Sequence, residues 1–205
     1  MGLKLPAKAV FAISCAITST FAHAAWNLDS KQSNVNFISI KKDSIAEVHH
    51  FKEVAGTLSQ SGEFLLDIDL SSVDTGIEIR DQRMQESLFD IMQFPLAMVK
   101  GRLDPGVLDS LKEGQVTAVD VDLSVTMHGA TAVVKSQLHA TKLSPTSLWV
   151  TSAKPMIINT ADFELTAGVD KLKALAALPS ISYAVPVMVN LRLDYTETTP
   201  PPETP

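Results

Sequence analysis

The stretch SSVDTGIEIRDQRMQESLFDIMQFP, residues 71–95, gathers the side chains best suited to chemistry: Asp74, the Arg80–Asp81 pair and Asp90. Such a set could supply an acid, a base and a cation to one substrate. General acid–base catalysis, however, needs its carboxylate in a defined polar site within hydrogen-bond reach of the reacting group. Here the pair lies between a strand and a helical turn. Asp81 is placed to cap a turn at 82–85 by accepting from free backbone N–H groups. Arg80 can hold Asp74 or Asp90 through forked hydrogen bonds. Ser71, Ser72, Thr75 and Gly76 are turn formers. The polar residues therefore read as a brace for a loop, with catalysis by Asp81 or a histidine kept as the alternative.

Other chemistry-bearing patterns are sparse. His49 and His50 are adjacent on a predicted strand, so they face opposite sides and cannot chelate one ion together. His128 stands beside a turn and His139 on the strand that follows, but no third ligand accompanies them. No metal or cofactor is expected. The chain carries no Gly-x-Ser-x-Gly, His-Glu-x-x-His, phosphate-binding glycine loop or Gly-x-Gly-x-x-Gly. Trp26 and Trp149 could each stack a sugar, although a lone Trp in a strand is ordinarily core.

The elements that must position these residues are strands. In VDVDLSVTMHG, Val119, Val121, Leu123, Val125 and Met127 alternate with Asp120, Asp122, Ser124, Thr126 and His128. That period of two marks a half-buried strand with a wet outer face. FLLDIDLSS places Phe64, Leu66, Ile68 and Leu70 on one side. YAVPVMVNLRLDY does the same with Tyr183, Val185, Val187, Val189, Leu191, Leu193 and Tyr195, while Pro186 marks a bulge, an edge or an end of pairing. Further strands are predicted near 26–31, 34–41, 45–59, 96–104, 131–143 and 147–152, with turns at Ser61-Gly62 and His128-Gly129-Ala130. Many strands with one polar face and no βα alternation indicate an all-β antiparallel barrel or sandwich. Short helical segments are expected near 81–92 and at 168–178, where Val169, Leu172, Leu175 and Ala176 share a face before Pro179.

An eight-stranded barrel is just wide enough to be filled by side chains or to hold one slender ligand. The candidate lining is Phe37, Phe64, Leu66 and Ile68, then Val121, Leu123 and Val125, then Val187, Val189 and Leu191. Met84, Phe89 and Met92 belong to an apolar cluster that runs from Met84 to Met98 and suits a mouth that repacks around a flexible chain. Inward apolar faces occur in filled and hollow barrels alike, so periodicity leaves both open.

The ends set the compartment. Lys4 and Lys8, the apolar run from Ala9 to Thr20 and the Ala22-His23-Ala24 site read as a secretory signal over residues 1–24. Cleavage after Ala24 removes Cys15, the only cysteine, whose other use would be lipidation. The remaining chain is then without thiols and without a membrane-spanning stretch. The full chain's formal net charge of −6, with no basic run, excludes nucleic acid as a partner. TETTPPPETP, residues 196–205, has no apolar residue and reads as a stiff, disordered tail after a domain spanning 25–195.

The order of several motifs resembles one family. SSVDTG, the Arg80-Asp81 pair, Leu88-Phe89-Asp90 and Phe94-Pro95 resemble the signature of the YceI-like lipid-binding domains. Trp26-Asn27-Leu28-Asp29 with Ser33 and Phe37, then His50 to Val54 with Gly56 and Leu58, resemble its opening strands, and Met127-His128-Gly129 its later hairpin. The chain departs where many members have Asp-Phe-Gly, carrying Asp162-Phe163-Glu164 instead. The resemblance implies an eight-stranded antiparallel, lipocalin-like barrel of the bacterial periplasm. It further implies a non-enzymatic role, holding an isoprenoid, quinone, polyprenyl phosphate or other fatty lipid inside. Arg80, Arg83 and His50 are candidates for the ligand's headgroup. An enzyme of isoprenoid or quinone metabolism is the alternative, and a carbohydrate-associated module is a third reading prompted by the tail.

Overall fold

The computed structural model describes residues 25–196; the expected signal, Cys15 and the part of the expected tail beyond Thr196 lie outside the described residues. Twelve strands form one antiparallel sheet: β1 Ala25–Leu28, β2 Asn34–Lys41, β3 Ile45–Phe51, β4 Val54–Ser59, β5 Glu63–Asp69, β6 Val73–Asp74, β7 Leu96–Arg102, β8 Val116–Met127, β9 Ala130–Ser144, β10 Ser147–Ser152, β11 Met156–Asn159 and β12 Ala184–Thr196. Eight of them pair in the order β1, β4, β5, β7, β8, β9, β10, β12, and β12 pairs back onto β1 to close the barrel. Closure removes the exposed edge that an open sheet would present. The long β12 then pairs with β2, which pairs with β3, and β3 with β6, carrying the wall upward beyond β1.

The expected strand at 45–59 is two strands, interrupted at Lys52-Glu53, and the one expected at 26–31 ends at Leu28, before a 3-10 turn at Ser30–Gln32. Asp29 causes that stop: its side chain accepts from the Lys31 N–H at 3.0 Å and favours the turn over further ladder pairing. Pro186 stands opposite Ile157 of β11, one residue beyond the Val187–Phe37 pair at which β12–β2 pairing ends, as a residue without an N–H requires. At the β8–β9 hairpin His128 (φ 52) and Gly129 (φ 80) both take left-handed conformations, the arrangement that matches strand twist.

Helices close the two ends. At the lower end α2, Pro105–Ser110, is capped by the Asp104 carboxylate on the Gly106 N–H at 2.9 Å and starts with proline. Beside it Leu111 packs with Val119 and Ala140, with Leu103 and Val107 around them, as a small separate core. At the upper end α1, Glu78–Met84, runs into a π-helical turn at Gln85–Phe89, which Asp90 ends at φ 49. α3, Thr166–Leu175, lies across that turn at Gly168, where an added Cβ would come within 2.9 Å of Leu88 Cα and Ser87 O. On α3 the expected apolar face holds for Val169 and Leu172, whereas Leu175 is exposed, because the helix overhangs the barrel at its C-terminal end. No helix among the described residues is long and apolar enough to cross a membrane.

Candidate functional site

Between the two ends the inward faces enclose a cavity of about 190 Å3 whose exposed wall is entirely apolar. Phe37 of β2 stands on this wall, with Phe64, Leu66 and Ile68 of β5. Val121, Leu123 and Val125 of β8 and Val187, Val189 and Leu191 of β12 are also on it, and Met84 and Phe89 descend from the roof. Met92 is not there: it is 93% exposed, because the left-handed Asp90 turns the chain outward ahead of it. Tyr183, expected on the inward face, is also displaced to the surface, where its hydroxyl donates to Asp170 at 2.7 Å.

Other wall residues escaped sequence reading, among them Val35, Phe51, Leu138 and Val150. On β9 the inward set is Val134, Ser136, Leu138 and Ala140, but the outward Val133 beside Val134 blurs the phase. Phe51 sits at the break between β3 and β4, where alternation loses its count. Trp149, read as core, is half-buried on the outer face opposite Arg192 and Thr141.

The Arg80–Asp81 pair is a brace, with different partners from those expected. Asp81 lies inside α1 rather than ahead of it, and its Oδ1 accepts the Thr75 N–H at 2.9 Å as well as the Thr75 hydroxyl. Arg80 binds neither Asp74 nor Asp90. Its Nε and Nη2 donate to Thr75 Oγ1 and O at 2.8 and 2.6 Å, and its Nη1 to Glu47 Oε2 of β3 at 2.7 Å. Lys41 of β2 reaches the same carboxylate oxygen at 2.8 Å. The hydrogen bond from Lys41, then that from Arg80, hold Glu47 below the usual carboxylate range against the opposing effect of burial. α1 is thereby tied to the rim made by β2 and β3.

The remaining headgroup candidates point elsewhere. His50 faces outward, 3.8 Å from Asp74, which Lys52 binds at 2.8 Å. Arg83 Nη1 reaches only the Leu175 carbonyl, at 3.5 Å. His128 packs against Phe94 with ring centroids 4.7 Å apart, while His139 lies opposite Ala118 and Thr151 far along β9. Among the described residues no three His, Cys, Asp or Glu side chains converge as a metal site would require.

A closed antiparallel barrel with an apolar shaft and a helical roof defines a lipocalin-like class of binding fold. Within that class, residues 26–193 match the YceI-like domain family, and the chain belongs to it. Among solved structures, a polyisoprenoid-binding domain from Saccharophagus degradans, implicated in plant cell wall breakdown, is 37% identical. It superposes with a TM-score of 0.82 over 84% of this chain and 99% of that one. Burkholderia cenocepacia BcnA, at 16% identity and a TM-score of 0.63 over 80% of this chain and 98% of that chain, shares the fold. No match was found among curated protein sequences.

Glu164 adopts φ 57, a conformation glycine takes without strain, just after the fully buried Phe163.

Proposed function

We propose that the chain is a lipid-binding protein that holds a long apolar tail along the barrel axis, most simply the prenyl chain of a quinone or polyprenyl phosphate. The observation that carries this reading is the apolar shaft, walled by barrel strands on all sides and roofed by Met84, Leu88 and Phe89. The Saccharophagus relative's ligand class supports it. Burial is worth about 0.8 kcal/mol per CH2, so even ten such groups offset much of the cost of association. The present volume of about 190 Å3 exceeds the ~150 Å3 of an apolar cavity that accepts benzene, and suits a segment of tail. A longer tail needs Met84 and Leu88 to repack, which flexible side chains on short roof elements can do.

The tail contacts are then the wall residues named above, twelve of them expected from the sequence, with Met92 outside the set. The role is binding rather than catalysis: Asp81 and Arg80, the best acid–base candidates, spend their hydrogen bonds on Thr75 and Glu47. Residues 1–24 serve as the export signal of a periplasmic domain spanning 25–195, and 196–205 as its tail.

Val189→Trp tests the reading. The side chain would occupy the shaft at an overpacking cost of about 1–3 kcal/mol. A folded variant that no longer takes up geranylgeraniol is expected; one that takes it up as well as the parent would refute tail burial in the shaft.

A further inference from the structure

The inner face of the β2–β3 pair changes character toward the roof. Val35 opposite Phe51 and Phe37 opposite His49 are followed by Ser39 opposite Glu47, all on the inward side. Phe37 and Phe51 stand on the cavity wall, so His49 and Ser39 are the first polar side chains met on leaving it along this face. His49 is 2% exposed, its ring lies 5.1 Å from that of Phe37, and its Nε2 shares a hydrogen bond of 2.8 Å with Ser39 Oγ. Its Nδ1 is buried without a partner. A buried polar atom left unpaired is costly in a fold, and a site built to hydrogen-bond a ligand is one reason to keep it.

We infer that the His49–Ser39 pair is the headgroup site of the barrel and that it receives an uncharged head bearing a hydroxyl or carbonyl oxygen. This rests on the lipid-binding reading above. The pair can present either a donor or an acceptor at Nδ1, because the Ser39 hydroxyl can donate to Nε2 or accept from it.

Charge around the pair points the same way. Lys41 of β2, Glu47 of β3, and Arg80 and Asp81 of α1 face it, two cations against two carboxylates. Both cations are engaged by Glu47. A phosphate placed here would meet the Glu47 carboxylate with no uncommitted positive charge in this group to hold it. The imidazole is itself kept neutral, since burial first and the Arg80 charge second hold it below its usual range.

The test uses three probes with one tail: geranylgeraniol, geranylgeranyl phosphate and the headless hydrocarbon. The parent protein is expected to bind the alcohol about tenfold more tightly than the hydrocarbon and more tightly than the phosphate. In His49→Leu the alcohol should fall to the hydrocarbon's affinity. Should that variant not fold, the parent's imidazole 15N resonances give the answer directly. The His49 Nδ1 signal should move with saturating alcohol and stay unmoved with hydrocarbon. Equal binding of all three probes, tightest binding of the phosphate, or an unmoved Nδ1 would overturn the headgroup site while leaving tail binding intact. Binding of none would overturn the lipid reading itself.

Discussion

The two ends of the barrel are closed in different ways. The lower end is plugged from within: Leu111, Val119 and Ala140 make a small core of their own, and the β4–β5 turn is pinned where Leu103 N–H donates to the Gly62 carbonyl at 2.8 Å. The upper end is roofed by short elements that rest on the cavity and belong to its wall, α1, the π turn and α3, held to the rim by the Arg80–Glu47–Lys41 cluster. A plug of packed side chains resists opening because every atom removed leaves a void. A roof tied by polar contacts can lift while its hydrogen-bonding groups turn to water. If the barrel holds a lipid tail as proposed, the upper end is the expected route to the shaft.

Breaking each closure separately sharpens that contrast. Leu111→Ala at the plug should cost about 2–4 kcal/mol of stability by leaving a cavity, read as a lower urea midpoint, with geranylgeraniol affinity unchanged. Arg80→Ala at the roof should cost less, about 2 kcal/mol. It should also speed lipid exchange measured by stopped-flow transfer to vesicles, which Leu111→Ala should not. Equal effects of the two substitutions on exchange would remove the distinction between the ends.

Acidification should weaken the roof end first. His49 is held below the usual imidazole range, so as pH falls below about 6.5 the unfolded chain takes up a proton that the folded chain refuses, and stability declines. Glu47, also lowered, contributes with the same sign below about pH 4.5. Urea midpoints between pH 7.5 and 5 should thus drop on the acid side, and the first part of the drop should vanish in His49→Leu. A flat profile in the parent would contradict the burial of a neutral imidazole. The smallest effect is expected at Glu164→Gly, where relief of the left-handed conformation should raise stability by about 1 kcal/mol without altering binding.

How much of this was legible in the sequence follows from what each residue's role depends on. The alternation over 119–127 is a local property of one strand, and Val121, Leu123 and Val125, which it puts on one face, line the cavity. The helical segments were also visible, displaced by two or three residues, since boundaries depend on turns such as the left-handed Asp90. The brace was recognised as structural, but its partner Glu47 lies 33 residues from Arg80, and pairing at that distance is set by the register of β2 on β3. His49 was hidden for the same reason. Sequence reading named its neighbour His50 as a headgroup candidate instead, and only the inward phase of β3, fixed by pairing with β2, separates them. Met92 misled in the opposite direction, its type fitting an apolar mouth while the backbone carries it outside.

Native mass spectrometry of the protein purified gently from its own source, followed by solvent extraction, addresses tail binding most directly. A one-to-one adduct that yields a prenyl or other long-chain lipid is expected. An unliganded mass, together with no uptake of added geranylgeraniol, would mean that the shaft packs on itself and that the barrel carries no lipid.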